Sequence, residues 1–273
     1  MIGKKLIELA RVDSTNAYAS LLYSDSDFED GTVIWAHDQF AGKGQHDHQW
    51  ISESGKNLTF TVCLKPRFLA PGSQFQLNKA FTLAIIDFIR SFPNQASPAP
   101  HPEAFIKWPN DIYVGNQKIG GILIENKIMG STFETSIAGI GLNINQTRFA
   151  PDIPNPVSLI HMLRHEIVLK DALHSLCDFL NRRYLELQQA GNENLDQEFN
   201  ENLLGFDKWR LFVQKSNKIE GRIRGVDKSG LLLLEDRNGE ISAYNHGEVE
   251  YQINENNAGN AGNADNADNA VNR

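Results

Sequence analysis

Hydrophobic and polar residues alternate along several short stretches of the first 208 residues. The clearest case is the segment 57–64, where Leu58, Phe60, Val62 and Leu64 alternate with other residues. A period of two places successive side chains on opposite faces of a β-strand. The pattern predicts strands in four segments: GTVIWAHD at 31–38, NLTFTVCL at 57–64, KIGGILIENKIM at 118–129 and TFETSIAGIGLNIN at 132–145.

The last two segments, taken as strands over 115–128 and 133–145, are separated by only a few residues around Gly130. So short a connection joins antiparallel neighbours, because parallel strands need a long crossover. A doubly wound parallel sheet is therefore disfavoured, and we expect an α+β fold.

Other stretches show helical spacing. The segment DALHSLCDFLNRRYLELQQ at 171–189 carries a stripe of apolar residues, formed by Leu173, Leu176, Leu180, Tyr184 and Leu187. The segment NKAFTLAIIDFIRSF has apolar residues on more than one face, which predicts a buried helix that ends before Pro93. The sequence Asp13-Ser14-Thr15-Asn16 offers several N-cap candidates ahead of AYASLLY.

The sequence beyond residue 208 shows short strand patterns without a helical segment. Four short runs rich in branched and apolar residues lie near 210–253, and they are broken at KSN, DKSG and DRNGE. We interpret residues 209–253 as a small antiparallel barrel or meander that follows a main domain over 1–208. Residues 254–273 repeat Asn-Ala-Gly/Asp and contain one large aliphatic residue, Val271, so we expect a disordered tail.

Composition narrows the class of protein. The chain is 41% hydrophobic and can fill a sizeable core, while its formal net charge of −8 repels a polyanion, so we expect no nucleic-acid partner. No apolar run is long enough for a signal peptide or a membrane span, and we expect a cytoplasmic protein without a membrane partner. Cys63 and Cys177 are too few for a disulfide framework and are expected to be buried thiols.

Four segments stand out as candidates for chemistry: DSTN at 13–16, GKGQHDHQW at 42–50, KWPND at 107–111 with KIGG at 118–121, and GIGLNIN at 139–145. Closely spaced glycines leave backbone N–H groups open to an anion, and Lys43, Lys107 and Lys118 add positive charge. Together these segments suggest phosphate binding, although each glycine pair also fits an ordinary tight turn.

Several other interpretations remain open at this point. No Walker P-loop is present, and a metal site at His46 and His48 would need more ligands. Trp50 and Trp108 fit the core or an adenine-stacking surface. Asp111 is either a solvated loop residue or a ligand for Mg²⁺ that carries nucleotide phosphates, which would indicate ATP as a substrate.

In their order and spacing, these segments resemble the catalytic domain of the biotin protein ligases. The resemblance spans residues 5–253 and rests on DSTN, a Q-x-x-G-K-G loop near a tryptophan, KWPND, KIGGILIE and GIGLNIN. It implies a class II synthetase-like mixed sheet with helices, followed by an SH3-like barrel. It also implies ligation of biotin, with ATP and Mg²⁺, to a biotin carboxyl carrier domain of a carboxylase. The winged helix that many members carry at the N-terminus is not expected here.

The resemblance also implies roles for individual residues. The expected catalytic residues are Lys118, Asp111, Lys107 and Lys43, with Asp111 also near the metal. The expected biotin contacts are Ser14, Thr15, Gln39, Gly42, Gly44, Gln45, Lys118, Gly120 and Gly121. The expected ATP contacts are Trp50, Lys107, Asn110 and Asn143.

One loop departs from the family pattern. Where the family most often has G-R-G-R-x-G-R-x-W, this chain has Lys43, Gln45, Asp47 and His48 in place of arginine, arginine, glycine and arginine. The loop therefore has up to three fewer fixed charges. Lipoate or octanoate ligases and transferases share the fold and are an alternative, as is a non-catalytic biotin-sensing module. The sequence allows a monomer or a homodimer.

Overall fold

The computed structural model describes residues 1–24, 29–45, 49–189 and 193–252, and its largest feature is a seven-stranded mixed sheet. The strand order is β1-β2-β5-β9-β8-β7-β6. The strands are β1 (Leu6–Val12), β2 (Thr32–Gln39), β5 (Leu58–Leu64), β6 (Ala104–Lys107), β7 (Asp111–Val114), β8 (Gln117–Met129) and β9 (Thr132–Leu142), while β3 (Gly42–Lys43) and β4 (Gln49–Trp50) form a separate small hairpin.

The predicted antiparallel hairpin is confirmed. Strands β8 and β9 pair antiparallel from Gly120 opposite Leu142 to Met129 opposite Thr132, and Gly130 in the turn has a positive φ of 62°. Strands β1 and β2 pair parallel, whereas the other pairs of this sheet are antiparallel. The sheet is thus mixed rather than doubly wound, as the α+β prediction required.

Both faces of the sheet are covered. The alternating residues of β5 face a large apolar cluster with helices α2 (Phe75–Arg90) and α4 (Leu169–Gln189). On the opposite face Cys63 packs with Ala19 of helix α1 (Thr15–Ser24). All seven residues of β5 are therefore buried, because helices cover both of its faces.

The predicted helices are confirmed, with shifted ends. Helix α2 stops at Arg90, three residues before Pro93, and the apolar stripe of α4 is buried along its length. Two short helices had no sequence prediction, α3 (Leu159–Leu163) and α5 (Glu193–Glu201). None of the helices in the described ranges is long and apolar enough to cross a membrane. Both cysteines are buried as free thiols.

Strands β1, β6 and β7 also escaped the sequence analysis. Strands β6 and β7 have only four residues each and flank the KWPND turn, so neither carries a pattern long enough to recognise. Their pairing brings Lys107 opposite Asp111. The turn therefore projects from the sheet with its two charged ends side by side.

A second, five-stranded antiparallel sheet follows, with the order β13-β12-β11-β10-β14. Its strands are β10 (Trp209–Gln214), β11 (Asn217–Val226), β12 (Leu232–Glu235), β13 (Ile241–Tyr244) and β14 (Glu250–Tyr251). The connections between the first four strands lie at KSN, DKSG and DRNGE, as predicted. The two-residue strand β14 was not among the four predicted strands. The Asn/Ala-rich segment 254–273, expected to be disordered, lies outside the described residues.

A buried lysine on helix α2 links the second sheet to the helices that cover the first sheet. Lys79 of α2 is fully buried, and its ammonium donates to Oδ1 of Asp196 on α5 at 2.9 Å and to the Val226 carbonyl on β11 at 3.4 Å. The rings of Phe75 and Phe199 lie 5.6 and 5.4 Å from Nζ. A buried ammonium is stable only with such partners, so this contact fixes the second sheet against α2.

Removing the carboxylate of Asp196 should therefore be costly. Asp196→Ala leaves the buried ammonium of Lys79 without its counter-charge, and we expect the free energy of unfolding to fall by about 3 kcal/mol. Urea denaturation measures the change. Glu201→Ala, an exposed carboxylate at the end of the same helix, is the control and should cost less than about 0.5 kcal/mol. Equal losses in the two variants would contradict the assignment.

Candidate functional site

A cavity of about 410 Å³ lies where the first sheet, the β3–β4 hairpin and the last residues of the second sheet meet. It gathers residues from all four of the segments that stood out in the sequence. The candidate residues from the sequence that line it are Ser14, Thr15, Gln39, Lys43, Gly44, Gln45, Trp50, Lys107, Asn110, Asp111, Lys118 and Gly121.

One wall of the cavity carries an ion pair. Nζ of Lys118 lies 2.6 Å from Oδ1 of Asp111, and both side chains are partly exposed, at 33% and 23%. Strand pairing sets this contact, because Asp111 on β7 lies opposite Gly121 on β8. A Cβ at Gly121 would come within 3.1 Å of the Asp111 carboxylate, so the glycine lets this carboxylate lie against the strand.

Lys107 lies in a less polar environment than Lys118. Burial lowers the pKa of Lys107 below its ordinary value and the charge of Lys118 lowers it further, while Asp111 and Glu250 act in the opposite direction. Its Nζ lies 5.7 Å from the ring centroids of both Tyr113 and Tyr251. A poorly hydrated ammonium gains more from an added anion than a solvated one does, which suits it to bind phosphate.

The floor of the cavity is neutral and polar. Oε1 of Gln39 accepts from the backbone N–H of Thr15 at 2.9 Å and lies 3.1 Å from its hydroxyl. The Thr15 hydroxyl lies 2.8 Å from that of Thr61, which lies 2.7 Å from Oδ1 of Asn16. Thr15, Asn16 and Thr61 are all buried, so this network is held away from bulk water.

Trp50 closes another side of the cavity. Its indole lies flat on Gly141 of β9, where an added Cβ would come within 2.4 Å of Cε2 of the ring. Gly42, which pairs with Trp50 in the β3–β4 hairpin, is as closely packed, since a Cβ there would meet Nε2 of Gln39 at 2.4 Å. The indole N–H is buried without a hydrogen-bond partner among the described residues. His46, Asp47 and His48 of this loop lie outside the described residues.

The second sheet completes the cavity with residues that the sequence analysis missed, namely His246, Gly247, Val249, Glu250 and Tyr251. Nε1 of Trp108 donates to the Gly230 carbonyl at 2.9 Å, and its ring meets that of His246 edge to face at 5.8 Å. Trp108 is 4% exposed, so it serves the interface between the sheets as well as the cavity wall. Asn16, Gly139 and Gly141 also line the cavity but were not assigned roles from the sequence. Their positions in the DSTN and GIGLNIN segments could have identified them.

Three candidate residues do not line the cavity: Gly42, Gly120 and Asn143. The buried Asn143 side chain donates to the Val157 carbonyl at 3.1 Å, and its backbone N–H donates to the Ile119 carbonyl at 2.8 Å. Asn143 therefore holds the 147–158 segment against β8, and its role as an ATP contact stays a prediction. In the same segment, the Asn155 carbonyl accepts a hydrogen bond from the backbone N–H of Lys118 at 2.8 Å.

The donor set of the cavity can be tested for magnesium. No group of three or more His, Cys, Asp or Glu side chains in the described ranges could hold a metal ion. Asp111 offers one carboxylate, which already meets Lys118. Mg²⁺ commonly binds through one or two carboxylates with phosphate oxygens and water, so Asp111 fits the ion only when it arrives with nucleotide phosphates.

Two protein-family models match this chain. The Biotin/lipoate A/B protein ligase family matches residues 8–143, and the Biotin protein ligase C terminal domain matches residues 213–251. The first match runs from within β1 to the end of the GIGLN sequence, and the second covers most of the five-stranded sheet. Together they include both parts of the cavity.

Curated relatives and solved structures agree with the family matches. A biotin–[acetyl-CoA-carboxylase] ligase of Paracoccus denitrificans is 27% identical over 83% of this chain and 92% of its own length. A bifunctional ligase/repressor BirA of Bacillus spizizenii is 25% identical over 88% of this chain and 72% of its own length. The structure of biotin protein ligase from Aquifex aeolicus in complex with biotin and ATP has the same fold, with a TM-score of 0.72 and 23% identity over 90% of this chain and 98% of that one.

The contact between Trp50 and Gly141 can be tested directly. Gly141→Ala places a methyl group where the indole lies, so the half-buried ring must move toward solvent, and the emission assigned to Trp50 should shift to longer wavelength. Subtracting the spectrum of the matching Trp50→Phe protein isolates that emission. Gly72→Ala, where a Cβ meets nothing within 4 Å, is the control. An unchanged Trp50 spectrum in Gly141→Ala would contradict the packing.

Proposed function

This chain belongs to the biotin/lipoate A/B protein ligase family, and we propose that it activates biotin as biotinyl-5′-AMP and transfers it to a lysine of a biotin carboxyl carrier domain. ATP and biotin are its substrates. The residue roles below are part of the proposal.

One observation carries the proposal: a single cavity combines a neutral polar floor with a wall of lysines. Lys118 belongs to the lysine wall, and Leu123 lies next to Asn16 of the polar floor. The two residues are five positions apart on β8, so the wall and the floor are separated by roughly 16 Å along the strand. Biotin has the same polarity, with an uncharged ureido ring at one end and a carboxylate at the other. The lysine wall also suits the phosphates of ATP.

In the first step, an oxygen of the biotin carboxylate attacks the α-phosphorus of ATP and pyrophosphate leaves. Two anions must approach each other, and Lys118 reduces their repulsion. An ammonium has three donors, so Lys118 can hold Asp111 and a substrate oxygen together. Lys107 and Lys43 take up charge on the phosphates from other sides of the cavity. Magnesium held by Asp111 and the phosphates would supply further charge stabilisation when bound.

In the second step, the lysine amine of the carrier attacks the carbonyl carbon of the mixed anhydride. AMP leaves, and the amine gives up a proton as the amide bond forms. Water must be excluded until then, and we propose that the loop around Lys43 and the 147–158 segment cover the intermediate. The main-chain bonds of that segment to Lys118 support a cover that is tied to the catalytic lysine.

The floor of the cavity favours biotin over lipoate. Thr15 and Asn16 are buried and Gln39 is half-buried, and a ureido ring can pair with the donors and acceptors that their mutual hydrogen bonds leave over. The dithiolane of lipoate or a hydrocarbon chain would desolvate these remaining groups without pairing with them, which sites of this kind disfavour.

The carrier domain is the expected macromolecular partner. The net charge of −8 supports the absence of a nucleic-acid partner. We propose that the chain acts as a monomer or a homodimer, and that the complete cavity within one chain lets each copy react independently.

Incubation of the protein with ATP, biotin and a carrier domain, followed by an avidin blot, tests the function. Biotinylated carrier supports the ligase, whereas an unmodified carrier would favour a sensing module, and lipoyl transfer instead would indicate the related ligases. Lys118→Ala should reduce biotin-dependent pyrophosphate release by about 10²–10³-fold. Lys127→Ala removes an exposed lysine from the same strand and should leave it unchanged. Normal pyrophosphate release by Lys118→Ala would refute the role.

The altered loop predicts leakage of the intermediate. Lysine lacks the bidentate fork of arginine and glutamine lacks its charge, so the loop should hold the adenylate less tightly than an arginine-rich loop. We expect more free biotinyl-5′-AMP per transfer than from a variant with arginine at 43, 45 and 48 and glycine at 47. Chromatography of the small molecules released during turnover provides the measurement. Release no greater than that of the restored loop would reject the prediction.

A further inference from the structure

The orientation of one buried amide in the cavity floor is fixed from outside the cavity. Nδ2 of Asn16 donates to Oε2 of Glu125 at 2.7 Å and approaches the Leu123 carbonyl at 3.4 Å. A carboxylate and a carbonyl can only accept hydrogen bonds, so the amide nitrogen must face them. Oδ1 of Asn16 therefore faces Thr61, 2.7 Å away.

The hydroxyl groups beyond Asn16 follow from a count of protons. Three oxygen–oxygen contacts, of 2.7, 2.8 and 3.1 Å, link Oδ1 of Asn16, Thr61, Thr15 and Oε1 of Gln39 in series. Both ends of the series are acceptors, and the two hydroxyl groups supply only two protons. One contact must lack a proton, and we assign this to the longest and therefore weakest one, between the Thr15 hydroxyl and Oε1 of Gln39.

The hydroxyl protons are then directed one way. Thr61 donates to Asn16, and Thr15 donates to Thr61. Thr15, which lines the cavity, is left with lone pairs and no free proton, so it meets a ligand as an acceptor. A ureido N–H is the kind of group that such an acceptor binds.

We propose that Glu125 is a positioning residue for biotin recognition, which sets the direction of this hydroxyl series by fixing the amide of Asn16. The inference rests on the proposed function. Glu125 is exposed and is not among the described residues that line the cavity, so it acts through Asn16. It continues the row of Gly121 and Leu123 on one face of β8, beyond the end of the cavity.

Gly139 makes this arrangement possible. It lies opposite Leu123 on β9, and a Cβ there would come within 2.4 Å of Oδ1 of Asn16. The amide of Asn16 therefore lies against bare backbone, between Thr61 on one side and Glu125 on the other. Without the carboxylate, the amide can turn over, and its nitrogen would then donate to Thr61. The series would reverse, Thr15 would accept from Thr61, and its own proton would be directed to Oε1 of Gln39 or to the ligand.

The test uses Glu125→Met in the full chain. We expect the Kd for biotin, measured by calorimetry without ATP, to rise about ten-fold, while the KM for ATP changes less than about two-fold. Two biotin analogues, each methylated on one ureido nitrogen, report the direction of the hydroxyl series. The wild type should discriminate against at least one of them, and Glu125→Met should lose about ten-fold of that discrimination. A side chain that only supports the fold would not change this ratio.

Matched variants complete the design. Glu125→Gln keeps an acceptor oxygen and should restore biotin affinity to within about three-fold of the wild type. Glu134→Gln removes a carboxylate from the neighbouring strand β9 and should change neither the biotin affinity nor the discrimination against the methylated analogues. Glu125→Ala repeats the comparison if the methionine variant does not fold. Unchanged biotin affinity, or unchanged discrimination between biotin and its methylated analogues, would overturn the proposal. A wild type that transfers no biotin would instead refute the proposed function.

Discussion

The site depends on three glycines that lie close together on the sheet face toward the cavity. Gly121 and Gly141 lie opposite each other on β8 and β9, and Gly139 is two residues along. Their missing Cβ atoms let Asp111, Trp50 and Asn16 approach the backbone closely. Any larger residue at 139 or 141 would overlap these side chains, so the bare backbone decides where the cavity can form.

Charge is arranged around this surface in a chain that is acidic as a whole. Lys107 and Lys118 flank Asp111, and the second sheet brings Tyr251 over Lys107 and Glu250 into its field. Burial by these groups makes the Lys107 ammonium poorly solvated, which strengthens its interaction with an incoming phosphate. The second sheet therefore contributes to the chemistry of the cavity as well as to its shape. The contacts of Lys79 and Trp108 hold it in that position.

The sequence predicts the parts of this site that are local. The hairpin of β8 and β9, the helix after DSTN and the lysine-bearing glycine segments all have short-range signals, and they meet in one cavity. Its motif does not show where Asn143 lies relative to the cavity, because this depends on the 147–158 segment, whose Val157 carbonyl accepts from the Asn143 amide. His246 and Glu250 lie more than a hundred residues beyond the KWPND turn, in segments too short to carry a pattern. Only the packing of the two sheets brings them to the cavity.

A crystal structure of the protein with biotin and ATP would show whether one cavity holds both ends of the ligand. We expect one ligand along the glycine-lined sheet face, with its ureido ring against Thr15 and Gln39. A carboxylate or phosphate oxygen should lie within hydrogen-bonding distance of Nζ of Lys118. A ligand bound away from Gly139 and Gly141, or one with its ureido ring at Lys118, would refute this binding mode.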